Sequence, residues 1–236
     1  MSTDAIGAAE GTASAEAATP AERTNGEKPS GPRSRKGMET RARLVAAAKD
    51  VFEEDGFLDA RVSDVAERAG LSHGSFYHYF ESKEEVFREV AAAVDERLSS
   101  PLDSVIHGTG SPHQRIREAM RRHLEIYREE ARIMGVIEQV SRFDAKVGEA
   151  RFARHRHYLD QMAESITGLQ RRGLIDPGLN AQIVAAGCGS MTYRFPEMWF
   201  VQGLIECEFD EGVEQLTRLF VRALGLPDTP SPSTAS

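Results

Sequence analysis

Along most of the chain apolar residues recur at intervals of three and four. This is the spacing of one face of an α-helix, and no segment shows the alternation that marks a strand. The pattern predicts a first helix over about Met38 to Asp55, with Leu44, Val45, Ala48, Val51 and Phe52 on one face and Gly56 as its stop. A short second helix covers about Val62 to Ala69, with Val65, Ala66 and Ala69 inward and Gly70 after it. Ser72 is placed to cap a third short helix reaching about Tyr79. Ser82-Lys83-Glu84-Glu85 reads as a capping box. It opens a fourth helix, bearing Val86, Phe87, Val90, Ala91 and Val94, that runs to about Ser99, where Pro101 prevents continuation.

After a break over His107 to Ser111, the run Ser111-Pro112-His113-Gln114 forms a second capping box with proline at the first helical position. Helices are then expected to about Glu130, over Ala131 to Arg142, and from Asp144 to Arg172, where Gly173 and the Asp176-Pro177-Gly178 turn intervene. A largely apolar helix over about Ala181 to Gly203 and a last one from Asp210 to Leu224 complete an all-α fold of about nine helices.

Residues 1–31 carry almost no large aliphatic or aromatic side chain, and the PDTPSPSTAS stretch at 227–236 is equally polar. Composition predicts that both are disordered tails. Between them the expected organisation is a domain of short helices over 32–98 and a second helical domain over 99–226. The first 19 residues lack the basic start and leucine-rich centre of a signal peptide. With no run of apolar residues long enough to span a bilayer, the expected compartment is the cytoplasm. The two cysteines, Cys188 and Cys207, are too few for a disulfide framework and too far apart for a zinc motif, and read as small apolar residues.

The formal net charge of −8 argues at first sight against a nucleic-acid partner. The field at a binding face is local, however, and the basic residues cluster. Between residues 31 and 50, Arg33, Arg35, Lys36, Arg41, Arg43 and Lys49 stand against only Glu39 and Asp50. Lys83 stands at the start of the fourth helix, where unpaired backbone N–H groups add positive potential. Between these flanks, VSDVAERAGLSHGSFYHYFESK places two short helices around the Ala69-Gly70-Leu71-Ser72 turn. Val65, Ala66, Leu71, Phe76 and Phe80 form their inward face, leaving Ser72, His73, Gly74, Ser75, Tyr77 and His78 outward. Such a small, hydrogen-bonding surface suits the base edges of a major groove. A helix-turn-helix of purely structural purpose is the competing reading.

The stretch TRARLVAAAKDVFEEDGF followed by VSDVAERAGLSHGSFYHYFESKEEVF closely resembles the tetracycline-repressor (TetR) family over about residues 38–98. The resemblance implies that the third helix reads bases. It implies phosphate contacts for the tyrosine of the Phe-Tyr-x-x-Phe pattern, here Phe76, Tyr77 and Phe80, for the lysine at Lys83, and for Thr40. One position departs: Arg61 stands where the family usually opens the second helix with Ser or Thr, so a cap is lost and a longer phosphate contact is expected instead. With Arg35 and Lys36, these residues make up the expected DNA-binding set.

Beyond about residue 105 the resemblance concerns architecture alone. It implies a divergent helical domain that holds a ligand cavity and dimerises through its last two helices. Apolar residues on several faces of Ile183–Ile205, small residues at Gly187, Gly189 and Ser190, and the stripe Val213, Leu216, Leu219, Phe220 and Leu224 fit a dimer face, with plain intramolecular core as the alternative. Pro196 inside the apolar helix predicts a kink beside Met191, Tyr193, Phe195 and Trp199, and facing helices offer Met120, Leu124, Tyr127, Ile137, Phe143, Phe152, Tyr158 and Met162 as further cavity walls. Arg194 is the candidate partner for an acidic ligand group. His155 and His157 lie two apart and so point to different faces, while Arg151, Arg154 and Arg156 around them read as a solvated basic surface.

No metal site and no cofactor are expected. The nucleophile-elbow, P-loop, dinucleotide and HExxH motifs do not occur, so an enzyme is the least favoured reading. The expectation is a homodimeric repressor released from a palindromic double-stranded DNA operator by a small apolar or amphipathic effector, without membrane association. A ligand-independent DNA-binding protein or an activator stand as alternatives.

Overall fold

A computed structural model of the chain describes residues 34–101 and 109–226. The two terminal segments predicted to be disordered, and the first two residues of the break, His107 and Gly108, lie outside the described residues. The described residues form nine α-helices and no strand. They are α1 (Arg35–Asp59), α2 (Val62–Arg68), α3 (His73–Phe76), α4 (Lys83–Ser99), α5 (Pro112–Glu129), α6 (Ala131–Val140), α7 (Ala145–Arg171), α8 (Ala181–Pro196) and α9 (Phe209–Ala223), with a π-helical turn over Glu197–Val201 between the last two.

Capping chemistry accounts for most boundaries. Ser34, Ser72, Ser82, Asp144 and Asn180 each accept a backbone N–H from the first turn they precede. The box at Ser111 and Gln114 is complete, both reciprocal bonds being present. The one expected at Ser82 is half formed: Glu85 Oε2 accepts from the Glu81 amide rather than from that of Ser82. Arg61 opens α2 without a side-chain cap. Gly56 breaks α1 where the pattern places the stop. Its φ of 74° turns the chain so that Phe57 folds back onto Phe52 and Phe87, with ring centroids 5.7 and 4.9 Å away.

Two apolar cores result. One is built on Phe52, Phe76, Phe80, Val86 and Phe87 and continues through α4 into Ile133, Met134, Ile137 and Val140 of α6. This core therefore crosses the 98/99 boundary expected from the sequence. The second gathers Met120 and Leu124 of α5, Met162 and Ile166 of α7, Cys188 of α8, and Val213, Leu216 and Phe220 of α9. The α9 stripe is thus largely internal: only its Leu219 is exposed. Gly189 packs inward, a Cβ there falling 2.4 Å from Leu159, whereas the exposed Gly187 has nothing within 4 Å. The apolar helix expected to Gly203 ends earlier. Pro196 and the π turn close it, and Trp199 stacks on Phe200 and Phe209, with centroids 4.3 and 6.0 Å apart.

Candidate functional site

At the N-terminal end, α3 is a single turn, too short to persist alone. Phe76 and Phe80, both sealed in the first core, hold it in place. Ser72 caps it through the Ser75 amide at 3.2 Å, and the two hydroxyls lie 2.7 Å apart. This fixing from below leaves Ser72, His73, Gly74, Tyr77 and His78 exposed on one edge, with Ser75 half-buried among them. The His73 and Tyr77 rings meet edge to face at 5.2 Å. Nothing lies within 4 Å of a Cβ at Gly74, so the edge is open there to close approach.

The basic residues divide into two groups. Arg35, Lys36, Arg43 and Arg61 are exposed, Arg35 bonding Glu39 one turn on at 3.0 Å. Thr40 donates its hydroxyl to the Lys36 carbonyl at 2.9 Å. Three others face the protein. Arg41 lies over the Phe80 ring at 4.5 Å and pairs with Glu89 of α4. Lys49 bonds Glu53 at 2.9 Å and lies 3.1 Å from the buried carboxylate of Glu130. Lys83, expected to touch phosphate, directs its ammonium to the carbonyls of Phe57, Leu58 and Ala60 at 2.7, 3.1 and 2.9 Å. An ammonium has three N–H donors. All are committed to closing the end of α1, so the lysine acts here as a clamp.

The C-terminal helices enclose two neighbouring cavities. The first, about 80 Å³, is almost wholly apolar, with Ile116, Met120, Met162, Ile166 and Phe220 in its walls. The second, about 260 Å³, is polar on one side, where Asp95, Arg151, Arg154, His155 and Tyr193 line it, and apolar on the other at Leu98, Met134 and Phe152. His123, Tyr158 and Thr192 belong to both. Tyr158 and Thr192 hydrogen-bond through their hydroxyls at 2.9 Å, and burial pushes the phenol up to about 12. His123 sets one ring nitrogen 3.1 Å from the Leu98 carbonyl of α4 and the other 2.9 Å from the Thr192 carbonyl of α8. Desolvation lowers its pKa despite both contacts, so the neutral ring donates to one carbonyl only.

Of the residues expected to line a cavity, Met120, Tyr127, Phe152, Tyr158 and Met162 do so. Leu124 and Ile137 are fully buried packing residues, and Met191, Phe195 and Trp199 pack against the second core. Phe143 is exposed. Arg194 points away from both cavities to pair with Glu197 at 2.6 Å. The sequence reading missed His123, Arg151, Arg154 and Thr192, whereas Tyr193, expected beside the Pro196 kink, lines the larger cavity. Arg151 and Arg154 were read as solvated surface, but Arg151 is nearly buried. The signal was present: Arg151, Arg154, His155, Tyr158 and Met162 recur at three and four and so share a face of α7. Among the described residues no group of His, Cys, Asp and Glu side chains is arranged to hold a metal, and no helix is long and apolar enough to cross a membrane.

Residues 44–90 match the family model of bacterial regulatory proteins of the tetR family. The uncharacterised HTH-type transcriptional regulator YdgC of Bacillus subtilis is 40% identical over 75 residues, which are 32% of this chain and 38% of that relative, so the match spans well under half of it. The HTH-type transcriptional repressor KstR2 of Mycobacterium tuberculosis is 32% identical over 101 residues, 39% of this chain and 50% of the relative. Among solved structures, a putative TetR-family transcriptional regulator from Mesorhizobium loti superposes with a TM-score of 0.67 at 20% identity, covering 82% of this chain and 98% of that one. At that identity the likeness concerns the fold.

Proposed function

Because residues 44–90 match the family model of tetR-family regulatory proteins, we propose that the chain is a regulator of that family, a homodimeric, ligand-released repressor acting on a palindromic operator. The observation that carries this reading is the exposed edge of α3, Ser72 to His78, held rigid from beneath by the buried Phe76 and Phe80. Helix edges of this kind read bases, while flanking cations fix the register on phosphates. Tyr77, Thr40, Arg35, Lys36 and Arg61 are the proposed phosphate set, and Ser72, His73, Gly74, Ser75 and His78 the reading set. Repression is favoured over activation by the repressor among the relatives.

Dimerisation is supported by a face that the described residues leave uncovered. Ile183, Ala186, Gly187 and Ser190 lie at helical spacing on the outside of α8, and Leu219 of α9 is exposed as well. A two-fold axis there would set the two reading edges about one DNA turn, ~34 Å, apart. Release then needs a ligand that prefers a different spacing, and its effect is bounded by that preference. His123 is placed to transmit the change, since it touches both cavities and ties α8 to the end of α4, the helix that follows the reading head.

The test is fluorescence anisotropy of the purified chain on DNA from upstream of its own gene, at several salt concentrations. Sequence-selective binding that weakens steeply with salt is expected. Binding no stronger than to scrambled DNA, both there and after selection from random sequence, would overturn the proposal.

A further inference from the structure

Arg151 sits on α7 with its side chain only 10% exposed, in the polar wall of the larger cavity. One of its terminal nitrogens is fully engaged: Nη2 donates to Glu138 Oε2 at 3.2 Å and to the Tyr193 hydroxyl. The other, Nη1, is buried and meets no protein acceptor among the described residues. A guanidinium is charged at every working pH and presents its N–H groups as a planar fork matched to a carboxylate. A buried donor of this kind, left without an acceptor, is a feature that proteins otherwise avoid.

The rest of the wall has the same polarity. Arg154 adds a second cation, and its Nε lies 3.0 Å from Asp95 Oδ2, the one carboxylate of the lining. Burial raises the Asp95 pKa, while the charges of Arg151 and Arg154 pull it down. Glu138 stands behind Arg151, outside the lining. The cavity therefore offers an excess of positive charge beside the apolar surface of Leu98, Met134 and Phe152. That combination suits an organic acid better than an inorganic anion. At about 260 Å³ the space lies just under the usual range for ligand pockets, which begins near ~300 Å³, and so admits a small acid.

We propose that this cavity binds a small organic monocarboxylate, its acid group at the guanidinium of Arg151 and its apolar body against Leu98, Met134 and Phe152. The proposal deepens the sensing function above and rests on it for biological meaning, although the binding itself does not.

Isothermal titration calorimetry on the full chain tests it, with octanoate and 3-phenylpropionate each set against its amide, and inorganic phosphate as a control. At least one acid is expected to bind tenfold or more tightly than its amide, and phosphate not to bind. Arg151→Met should equalise acid and amide, and Arg151→Lys should keep part of the difference. Ser99→Trp, an exposed position in the lining, should block both without touching the guanidinium, which keeps the test decisive if Arg151→Met does not fold. Amides that bind as tightly as acids, a preference that survives Arg151→Met, or acids that bind no better than phosphate would each overturn the site. Operator anisotropy on the same samples separates the two ideas. Acid binding that leaves DNA affinity unchanged would sink the sensing function and spare the site. Operator released by uncharged compounds, with no acid bound, would do the reverse.

Discussion

Two residues at the reading head have similar expectations on paper and different physics in the fold. Lys83 closes the end of α1 through three carbonyls, so its loss should appear in stability. Lys83→Met is expected to cost about 2 kcal/mol, the worth of a charged donor removed from backbone acceptors, read as a lower midpoint in urea unfolding. Tyr77 is half exposed and makes ring contacts with His73 and Phe76. Tyr77→Phe should leave the midpoint unchanged and weaken DNA binding by about 1 kcal/mol, the scale of one lost hydrogen bond. If instead Tyr77→Phe unfolds the head and leaves affinity intact, the proposed phosphate role fails.

His123 yields a pH dependence at the same scale. Its folded pKa lies below its ordinary value, so the unfolded chain takes up a proton that the folded chain refuses. Stability contributed by the neutral ring is complete above about pH 6.5 and declines as the pH falls below it. His155 is lowered in the same sense, and the raised Asp95 carboxyl acts oppositely at more acid pH. Between pH 7.5 and 5.5, His123→Gln should therefore flatten the slope of unfolding free energy against pH. An unchanged slope would mean the ring titrates alike in the folded and unfolded chain, and a steeper loss of stability toward pH 5.5 would mean it is charged in the fold, bridging both carbonyls.

At the scale of elements, the junction between α5 and α6 is the point where the two halves of the chain are fastened. Glu130 is 1% exposed, pairs with Arg97 of α4 and lies 3.1 Å from Lys49 of α1. Removing one partner of a buried ionic network leaves the others uncompensated, so Glu130→Ala is expected to cost roughly 3–5 kcal/mol. Chemical denaturation would measure this, and a change below about 1 kcal/mol would show the network to be solvated. The same network explains why the first core runs on into α6: with α1, α4 and α6 tied at one carboxylate, the apolar faces of all three close on each other.

Some elements were legible and others not, for physical reasons. The ends of α1, α4, α5 and α7 follow from local chemistry, a serine or aspartate cap or a glycine at positive φ, and so are written in a few adjacent residues. The end of α8 is not. Its close depends on Pro196 together with a π turn whose Trp199 lies against Gly212 of a later helix. The basic run on α7 was misread for a similar reason. Composition marks the three arginines as surface, and only packing against α6 and α8 turns Arg151 inward.

At the scale of the molecule, the uncovered face of α8 predicts assembly. Ile183→Asp should yield a monomer by light scattering and reduce operator affinity at least tenfold, since one reading head cannot engage both half-sites. A variant that stays dimeric would place the interface elsewhere.

The sequence by itself determined that the chain is helical, where most helices begin, and that residues 62–83 form two short helices around a tight turn. Each of these rests on contacts between near neighbours: hydrophobic spacing, caps and one tight turn. Tertiary structure alone decided which cations face solvent and which clamp the fold, that the α9 stripe is core, and that two cavities meet at His123. Those outcomes depend on residues far apart in the chain, Lys83 with Phe57, Lys49 with Glu130 and Arg151 with Tyr193, and no local pattern encodes such pairings.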